Sequence, residues 1–350
     1  MKNILTIIIL LFACCIFAQT EIFSPVEYKV FQRETKSQGK ILVSGKTDQV
    51  KVTVKITGKD FLGKSVNTSK TLKVGKLGEF SDLIKVPAGG WYTVSVNEIK
   101  VENVGVGEIF VTAGQSNSTC AGEFRTQQES GFVVNTDGVN WRLCNDPQIG
   151  MSNYDDGGSI YPSLGDILYK EFNVPIAFAP TGHGATVLEQ WQPNYPPVKW
   201  SVEKRMVTVN YEGNPLYAKT MNRVSQLGYK GFRCMLWHQG EGDRGCTPEY
   251  YFEGLSNIIK QSRIDAGWNI PWFVAKASYS PGGGLDENVR AGQQRVIDEG
   301  FAYLGADSDT LLEEYRDTGG KGIHFSPKGL KVHAALWAEK LIPYIYSIIN

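Results

Sequence analysis

Val111-Thr112-Ala113-Gly114-Gln115-Ser116-Asn117-Ser118-Thr119 is the stretch on which the reading of this chain turns. The apolar run Ile109-Phe110-Val111 reads as a buried strand that stops at Gly114-Gln115-Ser116-Asn117. A serine at the end of a core strand, in a glycine-led turn, has its hydroxyl at the rim of a sheet. That is where α/β folds put their reacting groups. Alone, the same stretch also reads as a Ser/Asn turn that starts a helix. Three segments downstream decide between the two.

After Gly105 strand and helix patterns alternate. Strands are predicted at Gly107–Ala113, Val174–Ala179, Gly231–Trp237, Pro271–Ala277 and Ala302–Ala306. Helices are predicted near Pro162–Phe172, Pro215–Leu227, Glu249–Ala266 and Asn288–Glu299. A last helix starts with Ser326 as its cap and Pro327 in its first turn, and carries Leu330, Ala334, Trp337 and Leu341 on one face. This alternation implies a mainly parallel sheet covered on both faces, with its site at the carboxyl ends of the strands.

Before Gly105 the period is two. Val52, Val54 and Ile56 alternate with Thr53 and Lys55, and turn signals such as Gly58-Lys59 and Gly75-Lys76 separate short strands. This is the pattern of a small antiparallel β-sandwich. The division expected is a signal segment at 1–18, a sandwich at 19–105 and a catalytic α/β unit at 106–350. Lys2, the apolar stretch Ile4–Phe17 and the small residue Ala18 describe a secretory signal cleaved after Ala18. Leu11-Phe12-Ala13-Cys14 fits a lipid-anchor box poorly because of Phe12. Export as a secreted or periplasmic protein without a membrane span is therefore expected.

Cys120, Cys144, Cys234 and Cys246 remain after the signal. In an oxidising compartment the pairs nearest in sequence, 120 with 144 and 234 with 246, are preferred; buried free thiols are the alternative. No Cys-x-x-Cys or His-x-x-x-His spacing calls for a metal. Lys and Arg number 36 against 36 Asp and Glu, a balance that argues against nucleic acid as a partner. Lysines nevertheless lean towards the sandwich half, a lean that suits an acidic polysaccharide or simply a solvated sheet surface. Oligomeric state is not legible.

The downstream segments are Gly182-His183-Gly184-Ala185-Thr186, Trp237-His238-Gln239-Gly240-Glu241 and Gly322-Ile323-His324-Phe325, each at or after a strand end. In this order, with Gly114-Gln115-Ser116-Asn117, they resemble the SGNH (GDSL-like) hydrolase superfamily. The closer likeness is to its carbohydrate-esterase branch, which includes sialate O-acetylesterases and acetylxylan esterases. Gly89-Gly90-Trp91-Tyr92 also resembles the sandwich that precedes such domains. The resemblance implies a three-layer, flavodoxin-like α/β/α domain without a cofactor or metal, acting on an acetylated carbohydrate.

Ser116 is the expected nucleophile and His324 its base, because a serine hydroxyl needs a proton acceptor within hydrogen-bond reach. The resemblance assigns an oxyanion hole to the backbone N–H groups of Ser116 and Gly184 and to the side-chain amide of Gln239. Gly182 is an alternative register for Gly184. Where such families carry an Asp three residues before the histidine, this chain has Lys321. Asp317, seven residues before, fits if Gly319 and Gly320 form an insertion. Glu241, Asp243, a backbone carbonyl, or no carboxylate at all are the alternatives. Asp307 and Asp309 are read as braces at the end of the fifth strand. Asn117, Glu189, Trp191, Trp237, His238 and Glu241 are candidate sugar contacts, each with a packing alternative. His183 is a further candidate to line the pocket, and His333 is expected to be a satisfied core histidine. The function this supports is a secreted carbohydrate O-acetylesterase. The rivals are the same machinery on a non-carbohydrate ester, or a sugar-binding protein with a decayed site.

Overall fold

The structure, a computed structural model, describes residues 20–151, 156–195, 200–202, 205–207 and 215–349. The expected signal segment lies outside the described residues. The first part of the chain forms β1 (Glu21–Ser24), β2 (Val30–Gln32), β3 (Gln38–Lys46), β4 (Lys51–Lys59), β5 (Ser65–Lys73), β6 (Glu79–Pro87), β7 (Gly89–Val96) and β8 (Ile99–Gly114). β1, β3 and β6 form one small antiparallel sheet, and β4 pairs antiparallel with β5 and β7. The lysine alternation in β4 works as a half-buried strand should. Val52, Val54 and Ile56 point inward to meet Ile41 and Val43 of β3, while Lys51, Thr53 and Lys55 stay exposed.

β8 is the hinge of the whole chain. Its first half pairs antiparallel with β7 and its middle parallel with β2. Its second half then runs parallel between β11 (Ile176–Pro180) and β14 (Cys234–His238). The change of period read at Gly105 thus falls inside one continuous strand of 16 residues. The sheet order is β10-β9-β11-β8-β14-β15-β16. Here β9 is Val133–Thr136, β10 is Trp141–Leu143, β15 is Trp272–Lys276 and β16 is Tyr303–Asp307. All of these neighbours pair parallel except β9 with β10. The β9–β10 hairpin and the short pair β12 (Trp200–Val202) and β13 (Arg205–Val207) were not read from the sequence. Three-residue strands carry too little periodicity to show.

The helices are α1 (Tyr161–Phe172), α2 (Pro215–Leu227), α3 (Pro248–Ala266), α4 (Glu287–Asp298), a single turn α5 (Asp317–Gly320) and α6 (Pro327–Ile348). Ser326 caps α6 by accepting from the Gly329 N–H, as its position before Pro327 predicts. Neighbouring residues of β8 feed two different cores. Phe110 joins Leu164 and Leu168 of α1 and Trp337 and Leu341 of α6. Ile109, Val111 and Ala113 join Val224 of α2, Leu255 and Ile258 of α3 and Val289 of α4. Burial on both sides explains why this half of β8 is an unbroken apolar run rather than an alternating one.

The four cysteines are free thiols, which corrects the preferred disulfides. Cys234 lies within β14 in the first core, whereas Cys246 packs against the second. The sheet itself lies between them. Cys120 and Cys144 are closer together but engaged otherwise: the Cys120 thiol donates to Asp146 Oδ1 at 3.4 Å, and that of Cys144 to Gln148 Oε1 at 3.2 Å.

Candidate active site

At the carboxyl end of β8 the backbone turns through Gly114, whose φ is +129°. A Cβ there would lie 2.0 Å from the His238 carbonyl oxygen, so only glycine allows β8 and β14 to finish side by side. Gln115 N–H donates to that same carbonyl at 2.9 Å. Ser116–Ser118 form one 3-10 turn. It is pinned by Ser118 N–H and Oγ donating to the Gln115 carbonyl, and by Thr119 N–H and Oγ1 donating to that of Ser116. From Ala113 to Cys120 every residue is buried except Ser116, which is half-buried. The turn therefore offers one side chain outward.

The loop after β11 runs beside it, with His183 N–H donating to the Gly114 carbonyl at 2.9 Å. Gly182 is closed against Ser118, whose Oγ would lie 2.5 Å from an added Cβ. Gly184 is partly exposed. Among the described residues neither the Ser116 nor the Gly184 N–H has a protein acceptor.

The third segment comes from the loop between β16 and α6. Arg316 bridges Phe325 in an antiparallel pair, and Asp317 N–H donates to the His324 carbonyl at 3.0 Å. The loop between them turns back through three left-handed residues, Thr318, Gly319 and Gly320. This brings Asp317 Oδ2 to 3.7 Å from His324 Nδ1, while Oδ1 accepts from the His324 N–H at 3.2 Å. The carboxylate occupies the space over Gly322, where a Cβ would lie 1.6 Å from Oδ1. Lys321 points to solvent. Of the alternatives weighed for the partner of His324, the residue seven positions upstream is the one beside its ring. Glu241 and Asp243 are engaged elsewhere.

Asn117 ties the segments together. Its Nδ2 donates to the Ile323 carbonyl at 3.2 Å and to Glu241 Oε1 at 2.9 Å, linking the Ser116 turn to the His324 loop and to the end of β14. Gln239 does not stand where the sequence reading put it. Its side chain is 0% exposed, and Nε2 lies within donating distance of Gln115 Oε1, the Thr186 carbonyl and Asp243 Oδ2. Its Oε1 accepts from the Tyr251 hydroxyl at 3.0 Å. An amide engaged in this way has no proton left for an oxyanion. Gln239 is a strut under Gln115, whose Oε1 also takes the Gly242 N–H at 3.0 Å.

Burial pushes the Asp243 carboxyl up to about 6, against the opposing hydrogen bonds from Gln239 and the Leu188 N–H. Burial likewise raises Glu241 to about 7, against its hydrogen bond from Asn117. His238 lies 3.8 Å from Glu241 and shares a hydrogen bond of 2.9 Å with Ser308 Oγ. Burial, followed by the charge of Arg316, lowers His238 to about 4, so the ring is neutral near pH 7.

Four candidate sugar contacts, Trp191, Trp237, His238 and Glu241, are corrected by burial. Trp191 is 1% exposed, packs edge-on against the fully buried Trp237 and donates to Thr186 Oγ1. His238 and Glu241 are also buried behind the serine turn. Glu189 is exposed and free to meet a ligand. His333 is a core residue accepting from Trp337 Nε1 at 3.1 Å. Asp309 takes the Ser278 and Tyr279 N–H groups and, with Asp307, the Arg290 guanidinium, bracing the ends of β15 and β16. The sequence reading missed Arg316. It is buried, donates to the Leu311, Ile323 and Ser308 carbonyls, and lies 4.5 Å over both Tyr279 and Phe325. Its place directly before Asp317 was the available signal. Among the described residues no three His, Cys, Asp or Glu side chains are grouped to hold a metal ion, and no helix is long and apolar enough to cross a membrane.

The family model for carbohydrate esterases described as sialic acid-specific acetylesterase matches residues 106–342. Among solved structures the chain is similar to a carbohydrate acetylesterase from Xanthomonas citri, at 16% identity and a TM-score of 0.57, over 92% of this chain and 74% of that one. It is also similar to a protein from Arabidopsis thaliana, at 16% identity and a TM-score of 0.48, over 69% of this chain and 99% of that one. A psychrotrophic esterase from a Pseudoalteromonas species is 11% identical, with a TM-score of 0.40, over 68% and 99% of the two chains. No curated protein sequence matches.

Proposed function

The chain belongs to the sialic acid-specific acetylesterase family of carbohydrate esterases, and from that premise we propose that it removes O-acetyl groups from a sugar with Ser116, His324 and Asp317. The observation that carries this reading is the Asp317 carboxylate beside His324 Nδ1, despite Lys321 at the usual position. A carboxylate on the Nδ1 side leaves Nε2 to accept a proton from a hydroxyl. Ser116 Oγ attacks the acetyl carbonyl and its proton passes to His324 Nε2. The developing oxyanion is met by the free N–H groups of Ser116 and Gly184. Each such donor typically contributes about 3 kcal/mol in the transition state. His324 then returns the proton to the departing sugar hydroxyl, and water activated by the same ring releases acetate.

In this reading the α/β part is a three-layer SGNH-type domain and residues 19–105 are an accessory sandwich. Export follows from the leader. Glu189 and the partly exposed Gly184 loop are the surfaces left to meet the sugar. Ser116→Ala should lower acetate release from p-nitrophenyl acetate by at least about 10^4-fold with an unchanged melting temperature. Activity within tenfold of the parent would refute the mechanism. Acetylated xylan, acetylated pectin and O-acetyl sialic acid, compared at equal acetyl concentration, then identify the sugar.

A further inference from the structure

A second cavity lies at the other end of the sheet. It is a cleft of about 730 Å³ between the sandwich and the α/β unit, entered beside β2, Ile109 of β8 and the segment leading into β14. Its size is within the roughly 300–1,000 Å³ range of small-ligand sites. Ile109 lines it, and Gly114 below the serine turn is five residues further along β8, roughly 17 Å of strand. The two sites are therefore distinct.

The chemistry of the lining is one-sided. Five basic side chains and a single carboxylate, Glu34, line the cleft, and Glu34 is taken by Lys40 at 2.7 Å. Arg33 and Arg233 are anchored on Glu108 beneath the floor. Lys29 and Lys230 remain, and among the described residues no carboxylate lies within 4 Å of either ammonium. Lys29 is held over the Phe31 ring at 5.2 Å, and Lys230 over Tyr229 at 5.5 Å. Burial holds the Lys29 ammonium below the usual lysine range. Arg33 is 2% exposed, and its Nη2 has no hydrogen-bond partner among the described residues.

Aromatic surface accompanies the charge. Tyr229 is 70% exposed, and Trp268 is half-buried with its ring fixed edge-on against Phe232 at a centroid distance of 5.1 Å. Unpaired ammonium groups next to fixed aromatic faces suit a ligand that alternates carboxylates with flat apolar ring faces. We propose that this cleft is a second, non-catalytic binding site for an acidic oligosaccharide of the uronate type. Its carboxylates meet Lys29 and Lys230, and its rings lie on Tyr229 and Trp268. The cleft would hold an acidic glycan while the opposite end of the sheet works on esters, and the assignment does not depend on what that end hydrolyses.

The test is calorimetric titration of the whole chain with trigalacturonate in about 50 mM salt, where exposed charges are weakly screened. Neutral galactotriose is the control. Binding of the acidic trisaccharide alone, weakening as salt is raised, is the expected result. The double substitution Lys29→Glu with Lys230→Glu should weaken it at least tenfold, and Trp268→Ala should weaken it severalfold. Neither variant should alter the rate on p-nitrophenyl acetate. Absence of binding at millimolar trigalacturonate, equal binding of the neutral sugar, or unchanged affinity in the double variant would each overturn the proposal.

Discussion

The second half of β8 has a buried carboxylate cluster at each end, and the two behave oppositely. At the amino end Glu108 is 0% exposed and accepts from Arg33 Nε at 2.6 Å, Arg233 Nε at 2.7 Å and Gln32 Nε2 at 2.9 Å. Burial pushes its carboxyl up, but the charges of Arg233 and Arg33 and the donors on them outweigh it and hold the group below the usual range. At the carboxyl end Glu241 and Asp243 are buried beside amides, a neutral histidine and backbone, and both are raised. Burial is common to both ends; what differs is whether a cation is bonded to the oxygens. One end is an ionic rivet beside β2, β8 and β14. The other is a pair of carboxyls that hold their protons more tightly than usual behind the Ser116 turn, and Asp317, the carboxylate beside His324, is set apart from them by being partly exposed.

The largest expected effect tests that exception. If Asp317 acts as a charged partner to His324, Asp317→Asn should lower kcat by about 10^2–10^4-fold on any acetyl ester. KM and the melting temperature should barely move, since the side chain is partly solvated. A loss under threefold would mean that His324 works in a dyad.

Breaking the rivet comes next. Glu108→Ala leaves two buried guanidinium groups without a counter-charge, which typically costs about 3–5 kcal/mol. The denaturation midpoint should fall accordingly, whereas kcat of the folded enzyme should stay close to that of the parent because the reacting end is a strand length away. A loss of about 1 kcal/mol or less would show that Arg33 and Arg233 find solvent or other acceptors, and the rivet would then be ornamental.

How much of this contrast could be read from the chain depends on locality. The β8 run, the Ser116 turn and the capped α6 were legible because each is a contiguous pattern with its own period or cap. The Glu108 rivet was not, since Gln32, Arg33 and Arg233 come from segments up to 125 residues away and nothing at 108 marks a partner. Asp317 was only one of several readings. What places it is three consecutive left-handed residues and the absence of a side chain at Gly322, and a sequence shows glycines without showing where they fold. The Gln239 amide misled for a related reason. Its position after β14 was right, but Gln115, Thr186 and Asp243 claim it, and they converge only in three dimensions.

The smallest effect isolates the raised carboxyl of Glu241 itself. A carboxyl raised from 4.5 in the unfolded chain to about 7 in the fold binds its proton more tightly when folded. Its stabilising contribution is therefore complete below pH 4.5 and is lost as pH rises through about 7. For Glu241 that loss is on the order of 3 kcal/mol. Glu108 has the opposite sign: its contribution is present at neutral pH and lost in acid. Glu241→Gln keeps an acceptor for Asn117 but cannot ionise, so its denaturation midpoint should fall less than the parent's between pH 4.5 and about pH 8. The acid limb set by Glu108 should be unchanged. An unaltered slope in the variant would mean that Glu241 is already ionised in the fold. A cation would then have to reach its unpartnered Oε2, and the distinction between the two ends of β8 would disappear.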